Sequence, residues 1–236
     1  MVHVVVADDK NDRTKIFTHS GEFKFDIKLD RPFDVAVSQT SNLYITPRDD
    51  GCVKVYSTRG QQVTTMGRGT LEGPRGITLN NQGHVMVCDS RKKSIFTFHA
   101  DSEQLLNTIP LSMCENPRYI TVNGVNDNIV ISDNCQHCVH VLSTTGDQLY
   151  QYGTEGSGYG ELNGPCGVCT DSYGHIFIAD CNNDRVVALS PRGQFIRYIA
   201  TEDDGLESPR ALAISPAGML MVAEADGKVK KCQYLQ

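Results

Sequence analysis

The sequence lacks an N-terminal basic segment leading into an apolar run and a small-residue cleavage site, and no stretch approaches the ~18 apolar residues of a membrane-crossing helix. Neither export nor a membrane partner is expected. There is no Asn-x-Ser/Thr acceptor, and the nine cysteines are odd in number and scattered. That pattern fits free thiols in a reducing compartment better than a disulfide framework, so a soluble, cytoplasmic chain is expected. No G-x-S-x-G, phosphate-binding loop or dinucleotide fingerprint occurs, which leaves an enzyme reading without a motif and predicts no cofactor. Basic residues are also outnumbered, 22 Lys and Arg against 28 Asp and Glu, for a net charge of −6. Taken globally this argues against nucleic acid, and no DNA partner is expected. Helical periodicity is missing throughout.

What is present is a repeat. One unit recurs behind Pro32, Pro74, Pro117, Pro165 and Pro209, at intervals of 42, 43, 48 and 44 residues. It is clearest in PRGITLNNQGHVMVCDSRKKSIFTF (74–98) and PCGVCTDSYGHIFIADCNNDRVVAL (165–189). A strand a such as GITL leads through a turn, NNQG or DSYG, into a strand b that ends on an acid. A polar loop, a strand c, a Gly-containing turn and a strand d follow. Four strands per ~43 residues is the content of a propeller blade. The apolar residues are β-branched or aromatic in nearly continuous runs, as in VHVVVAD (2–8) and NIVISD (128–133). Such runs suit strands covered on both faces by neighbouring blades.

The expected fold is therefore all-β, one propeller domain over 1–236 with about six four-stranded blades at 2–29, 31–73, 74–116, 117–164, 165–208 and 209–236. The first blade lacks a strand a and the last lacks a strand d, because residues 2–29 match only b, c and d and residues 209–236 only a, b and c. Exposed strand edges at those ends are an association hazard.

With these units in view, the chain resembles NHL repeats, in particular those of the tripartite-motif NHL family. The Asp-x-x-Asn-x-Arg motif stands in ADDKNDR (7–13) and ADCNNDR (179–185). It is degraded to CDSRKKS (88–94), SDNCQHC (132–138), AEADGK (223–228) and TPRDDGC (46–52). The resemblance implies RING, B-box and coiled-coil segments with ubiquitin-ligase activity upstream in full-length members, and no catalysis by this chain. It also implies two uses of the propeller: some relatives bind single-stranded or hairpin RNA on the top face, whereas others hold protein partners. The terminal YLQ resembles the second branch.

Blade geometry places the residue after each repeat proline beside the b–c loop on one rim. The RNA-binding candidates on that rim are Phe33, Arg75, Arg118, Tyr119 and Arg210 near the prolines, with Arg48, Arg91, Lys92, Lys93, His137 and Lys228 in the b–c loops. Planar and cationic side chains together suit single-stranded RNA, where phosphates supply salt-dependent affinity and bases stack. Acids collect on other connectors, at Glu155 and Glu161 and at Glu202, Asp203, Asp204 and Glu207, and the alternative to RNA is a protein partner held by the same loops and the acidic connector 202–207. Arg13 and Arg185 recur five residues after Asp8 and Asp180, and this spacing predicts ion pairs that pin the loop rather than site residues. Phe33 can equally pack beneath its loop.

Cys135 and Cys138, with His137 between them, and Cys166 and Cys169 formally match a four-thiolate zinc spacing. Residues three apart on a strand face opposite ways, however, so Cys166 and Cys169 are not expected to converge on one ion, and buried apolar cysteines are expected instead. His84 and His175 start strands b on the opposite face without a third ligand. The acids Asp8, Asp89, Asp133, Asp180 and Glu224 close strands b, a place where carboxylates cap backbone N–H groups.

Overall fold

A computed structural model describes residues 4–18 and 20–234. Val2 and His3 of the first apolar run, and Leu235 and Gln236 of the terminal YLQ, lie outside the described residues. The chain divides after Pro110 into two compact units. Every sheet is an antiparallel meander, and together the six sheets make a six-bladed β-propeller, three blades from each unit.

In the first unit, blade 1 comprises β1 (Val4–Asp8), β2 (Arg13–Phe17) and β3 (Phe23–Lys28). Blade 2 comprises β4 (Pro32–Val37), β5 (Asn42–Pro47), β6 (Val53–Ser57) and β7 (Gln62–Met66). Blade 3 comprises β8 (Pro74–Leu79), β9 (Val85–Asp89), β10 (Ser94–Phe98) and β11 (Leu105–Pro110). In the second unit, blade 4 comprises β12 (Pro117–Val122), β13 (Ile129–Asp133), β14 (Cys138–Leu142) and β15 (Gln148–Tyr152). Blade 5 comprises β16 (Pro165–Thr170), β17 (Ile176–Asp180), β18 (Arg185–Leu189) and β19 (Phe195–Ala200). Blade 6 comprises β20 (Pro209–Ile214), β21 (Leu220–Glu224) and β22 (Val229–Cys232). Among the described residues blades 1 and 6 have three strands each, as the incomplete sequence units anticipate.

The middle strands carry the core. All five residues of β9, β13, β14, β17 and β18 are buried, whereas β11 and β15 are largely exposed. Continuous Val, Ile and Phe runs meet this requirement because side chains pointing to both faces of a blade are covered. In the first unit Val55 and Met66 of blade 2 pack with Ile77, Val87 and Phe98 of blade 3. In the second, Val139 and Val141 of blade 4 pack with Val168, Ile178 and Val187 of blade 5.

Two local devices shape the rim. First, each repeat proline pairs with the end of strand b, and the register then shifts before the ladder resumes at Asp34, Ile77, Ile120, Val168 or Ala211. Phe33, Arg75, Arg118, Tyr119, Cys166 and Arg210 fall inside these irregularities, which release them from strand alternation and re-aim their side chains. Second, Asp12, Lys93, His137 and Asp184 close the b–c turns at φ of 49, 45, 53 and 48°. Each stands four residues after its strand-b acid, and Gly51 (φ 57°) does the same after Pro47.

The strand-b acids find donors in two ways. In blades 3 and 4 the donors are backbone N–H groups: Glu72, Gly73, Arg91 and Lys92 serve Asp89, and Glu115, Asn116, Cys135 and Gln136 serve Asp133. In blades 1, 5 and 6 a cation is added. Arg13 and Lys15 reach Asp8 at 3.3 and 2.9 Å, Arg185 reaches Asp180 at 2.7 Å, and Lys230 reaches Glu224 at 2.8 Å. His140 sits in the register position of Lys15 and Lys230, opposite Ile131 as they are opposite Val6 and Val222. Burial lowers its pKa and holds it neutral. The four backbone donors on Asp133 take over the role that lysine has in blades 1 and 6.

Candidate functional site

In the first unit Phe33 is buried, 7% exposed, as its apolar character allows. Its ring is flanked by two guanidinium groups, Arg48 at 5.1 Å and Arg75 at 5.4 Å from the centroid. Arg48 is also paired with Asp9 of blade 1 at 3.1 Å. Arg91 donates to the Glu72 carbonyl at 3.3 Å, and its side chain covers Gly73. Lys92 reaches the Thr70 carbonyl at 2.8 Å and the Glu72 carboxylate at 3.4 Å. Lys93 is exposed at its turn-closing position. Phe33, Arg48 and Arg75 are therefore brought together, whereas Arg91 and Lys92 bind the connector that precedes blade 3.

In the second unit the post-proline residues of three successive blades gather on Cys166. Arg210 donates to its sulfur at 3.7 Å, the positive charge of Arg118 reaches it, and Tyr119 packs against the cluster of Cys166, Ala179 and Cys181. His137 and Lys228 lie apart from this group in their interactions. His137 Nδ1 accepts the Gly164 N–H at 3.1 Å with Glu155 3.9 Å from Nε2, and Lys228 pairs with Asp226.

The connector before blade 5 is the best-defined rim element, and the acid count alone did not single it out. Arg185 Nε binds Asp180, while Nη1 donates to the Ser157 carbonyl at 2.7 Å and Nη2 to the Glu161 carbonyl at 2.9 Å. Asn183 holds the Gly156 carbonyl at 2.9 Å, and Leu162 is fully buried as the anchor of the segment. The expected Arg185–Asp180 pair is present, but its guanidinium does more than pin its own loop. Gly153 and Gly156 make the tight path possible, at φ of 102 and 151°, where a Cβ would strike Leu162 and Glu161. Tyr159 projects from this frame and is 78% exposed. Its ring meets Phe195 edge-on at 5.0 Å, Phe195 meets Tyr198 at 5.0 Å, and Arg185 lies over Tyr198 at 4.5 Å. The sequence signal for this element was the 48-residue interval after Pro117, longest of the four, with its glycines.

The two formal CxxC pairs do not assemble: Cys135 is exposed, Cys138 is buried, and Cys166 and Cys169 belong to different core clusters. Cys181, which has no partner spacing in the sequence, instead meets Cys166 at 3.3 Å. Among the described residues Cys114, Asp133 and His140 have ligand atoms within 4.8 Å of one another. Asp133 already accepts four backbone N–H groups there, so its lone pairs are committed to the turn. His175 pairs with Asp171 of its own turn at 2.9 Å. No described helix is long and apolar enough to cross a membrane.

Five of the six antiparallel blades open on a proline and five close strand b on an acid, the repeat pattern of a propeller whose homologues are NHL-repeat proteins. No family model matches the chain. It is 23% identical to human E3 ubiquitin-protein ligase TRIM32 over 94% of its own length and 38% of the relative's. To human E3 ubiquitin-protein ligase NHLRC1 it is 24% identical, over 94% and 61%. Mouse NHL-repeat-containing protein 4 matches a shorter stretch, at 38% identity over 30% of this chain and 51% of the relative. The chain thus spans less than two thirds of these relatives. Among solved structures, a nidogen/laminin complex (TM-score 0.76, 19% identity, 95% of this chain and 86% of that chain) and a streptogramin B lyase (0.72, 15%, 99% and 80%) share the fold alone.

Proposed function

We propose that this propeller recruits a protein partner through the 153–164 connector, with Tyr159 as the anchor and a Lys- or Arg-bearing segment as the ligand. The observation that carries the reading is a large aromatic side chain held 78% exposed on a loop that a buried arginine fixes from below. Aromatic side chains dominate binding hot spots, and an anchor fixed before binding loses little entropy on association. Glu155, on the same connector and with its side chain 77% exposed, adds the complementary charge. Kinship with E3 ubiquitin-protein ligases supports a role in presenting that partner to a ligase. The direct test is an array of basic peptides probed with wild-type and Tyr159→Ser protein. Binding that falls about tenfold in the variant, at unchanged thermal stability, supports the reading, and equal binding refutes it.

A second reading keeps single-stranded RNA as ligand, and the gathering of Arg118, Arg210 and Tyr119 favours it, since guanidinium and aromatic planes stack bases. Pairing of Arg48, Lys92 and Lys228 with acids reduces the net positive charge the wider candidate set offers to phosphates. Titration of short single-stranded RNAs at two salt concentrations, with Arg118→Glu and Arg210→Glu, separates the two readings.

A further inference from the structure

Cys166, second residue of β16, and Cys181, first residue after β17, lie at the same end of one hairpin. Their sulfurs are 3.3 Å apart, and each residue is 1% exposed. A disulfide needs ~2.05 Å, so an approach of roughly 1.2 Å joins them. Their environments differ. Cys166 accepts from Arg210 Nη1 at 3.7 Å, lies 3.6 Å from the Gly164 carbonyl and is within reach of the Arg118 charge, whereas Cys181 has Ser208 Oγ at 3.9 Å and is reached by the Arg210 charge alone. Contact with the Cys181 thiol, followed by the two arginines, lowers the pKa of Cys166, and the same contact raises that of Cys181. One sulfur is thus favoured as thiolate and the other as thiol, the division of labour between an attacking and a resolving cysteine. Arg210, whose guanidinium stands 3.7 Å from the Cys166 sulfur, is itself exposed, so a single contact links this sulfur to a solvent-facing side chain.

We propose that Cys166 and Cys181 form a peroxide-sensitive dithiol, with Cys166 as the oxidised and Cys181 as the resolving residue. The Cys166 thiolate attacks a hydroperoxide, forming an S–O bond as the O–O bond breaks, and the leaving alkoxide or hydroxide takes up a proton. The Cys181 thiol then gives up its proton and attacks the Cys166 sulfur. The S–S bond forms, the S–O bond breaks and water leaves. Two thiols and one hydroperoxide become one disulfide, one alcohol (or water) and one water, with two electrons passing from sulfur to oxygen. Oxidation replaces a thiolate with a neutral disulfide, which removes one negative charge from beside Arg210 and from within reach of the Arg118 charge.

The experiment treats the intact chain with hydrogen peroxide, blocks remaining thiols under denaturing conditions and maps peptides by mass spectrometry. The expected product is a Cys166–Cys181 disulfide lacking two hydrogens. In Cys181→Ser, dimedone is expected to trap a sulfenic acid at Cys166, and Arg210→Gln is expected to slow the reaction about tenfold through a smaller thiolate fraction. Oxidation confined to exposed Cys135, with Cys166 and Cys181 still alkylated as free thiols in the wild-type chain, overturns the proposal. The wild-type measurement decides even if a variant folds poorly, and it is independent of any binding partner.

Discussion

Arg185 Nε lies 2.7 Å from Asp180 Oδ2 with both side chains almost fully buried, and the rest of the guanidinium holds three connector carbonyls. One residue therefore links the b–c turn of blade 5 to the segment that displays Tyr159. Arg185→Ala leaves a buried carboxylate without its cation and is expected to cost about 3–5 kcal/mol in urea unfolding. Arg185→Lys keeps the charge but not the fork of donors, so it should recover part of the stability and little of the connector order. Amide exchange over 153–164 measures the second effect.

Gly167 is a test of blade spacing. A Cβ there would stand 2.7 Å from Ala211 Cα and 2.8 Å from the Arg210 carbonyl, both backbone atoms of the next blade. Gly167→Ala is expected to destabilise by about 2–3 kcal/mol, because neither strand can yield a side-chain rotamer to make room. Thermal unfolding reports it.

Asp34 sets a pH dependence. Burial raises its pKa to about 7 despite hydrogen bonds from the Ile77 and Val35 N–H groups. The folded state then prefers the protonated acid. Its contribution is fully present below the ordinary carboxylate value, near 4, and is lost as pH rises to about 7. Asp34→Asn should flatten stability between pH 4.5 and 7.5, a change on the order of 1–3 kcal/mol in the slope it removes. A slope identical to wild type contradicts the assignment.

Lys93 closes its turn at φ 45°, where a side chain is disfavoured. Lys93→Gly is expected to be neutral or to stabilise by up to about 1 kcal/mol, since it relieves that strain while loosening the unfolded chain. The variant also removes one candidate phosphate contact, so RNA titration of the same protein measures what the charge contributes.

Blade number, strand order and the missing edge strands could be read from spacing because each repeat is a local unit, written within ~43 residues by its proline, its turn glycine and its closing acid. The Asp180–Arg185 pair was legible for the same reason. Other relationships depend on chain folding back. Asp9 meets Arg48 only because blades 1 and 2 are neighbours, and this turns an apparent free cation into a paired one. Cys166 and Cys181 meet because a hairpin returns its end to its start, which cysteine spacing along one strand does not reveal. Tyr159 carried no motif; its exposure follows from which connector atoms Arg185 and Asn183 hold.

In the proposed function Tyr159 is a preorganised anchor for a protein. Quantitative capture from RNase-treated lysate, run in parallel with wild type, Tyr159→Ser and the Arg118→Glu, Arg210→Glu double variant, addresses it directly. The predicted result is a defined set of proteins reduced at least fivefold in Tyr159→Ser and retained by the double variant, with equal thermal stability in all three. The contradicting result is a set indifferent to Tyr159, together with salt-dependent RNA binding that only the double variant abolishes.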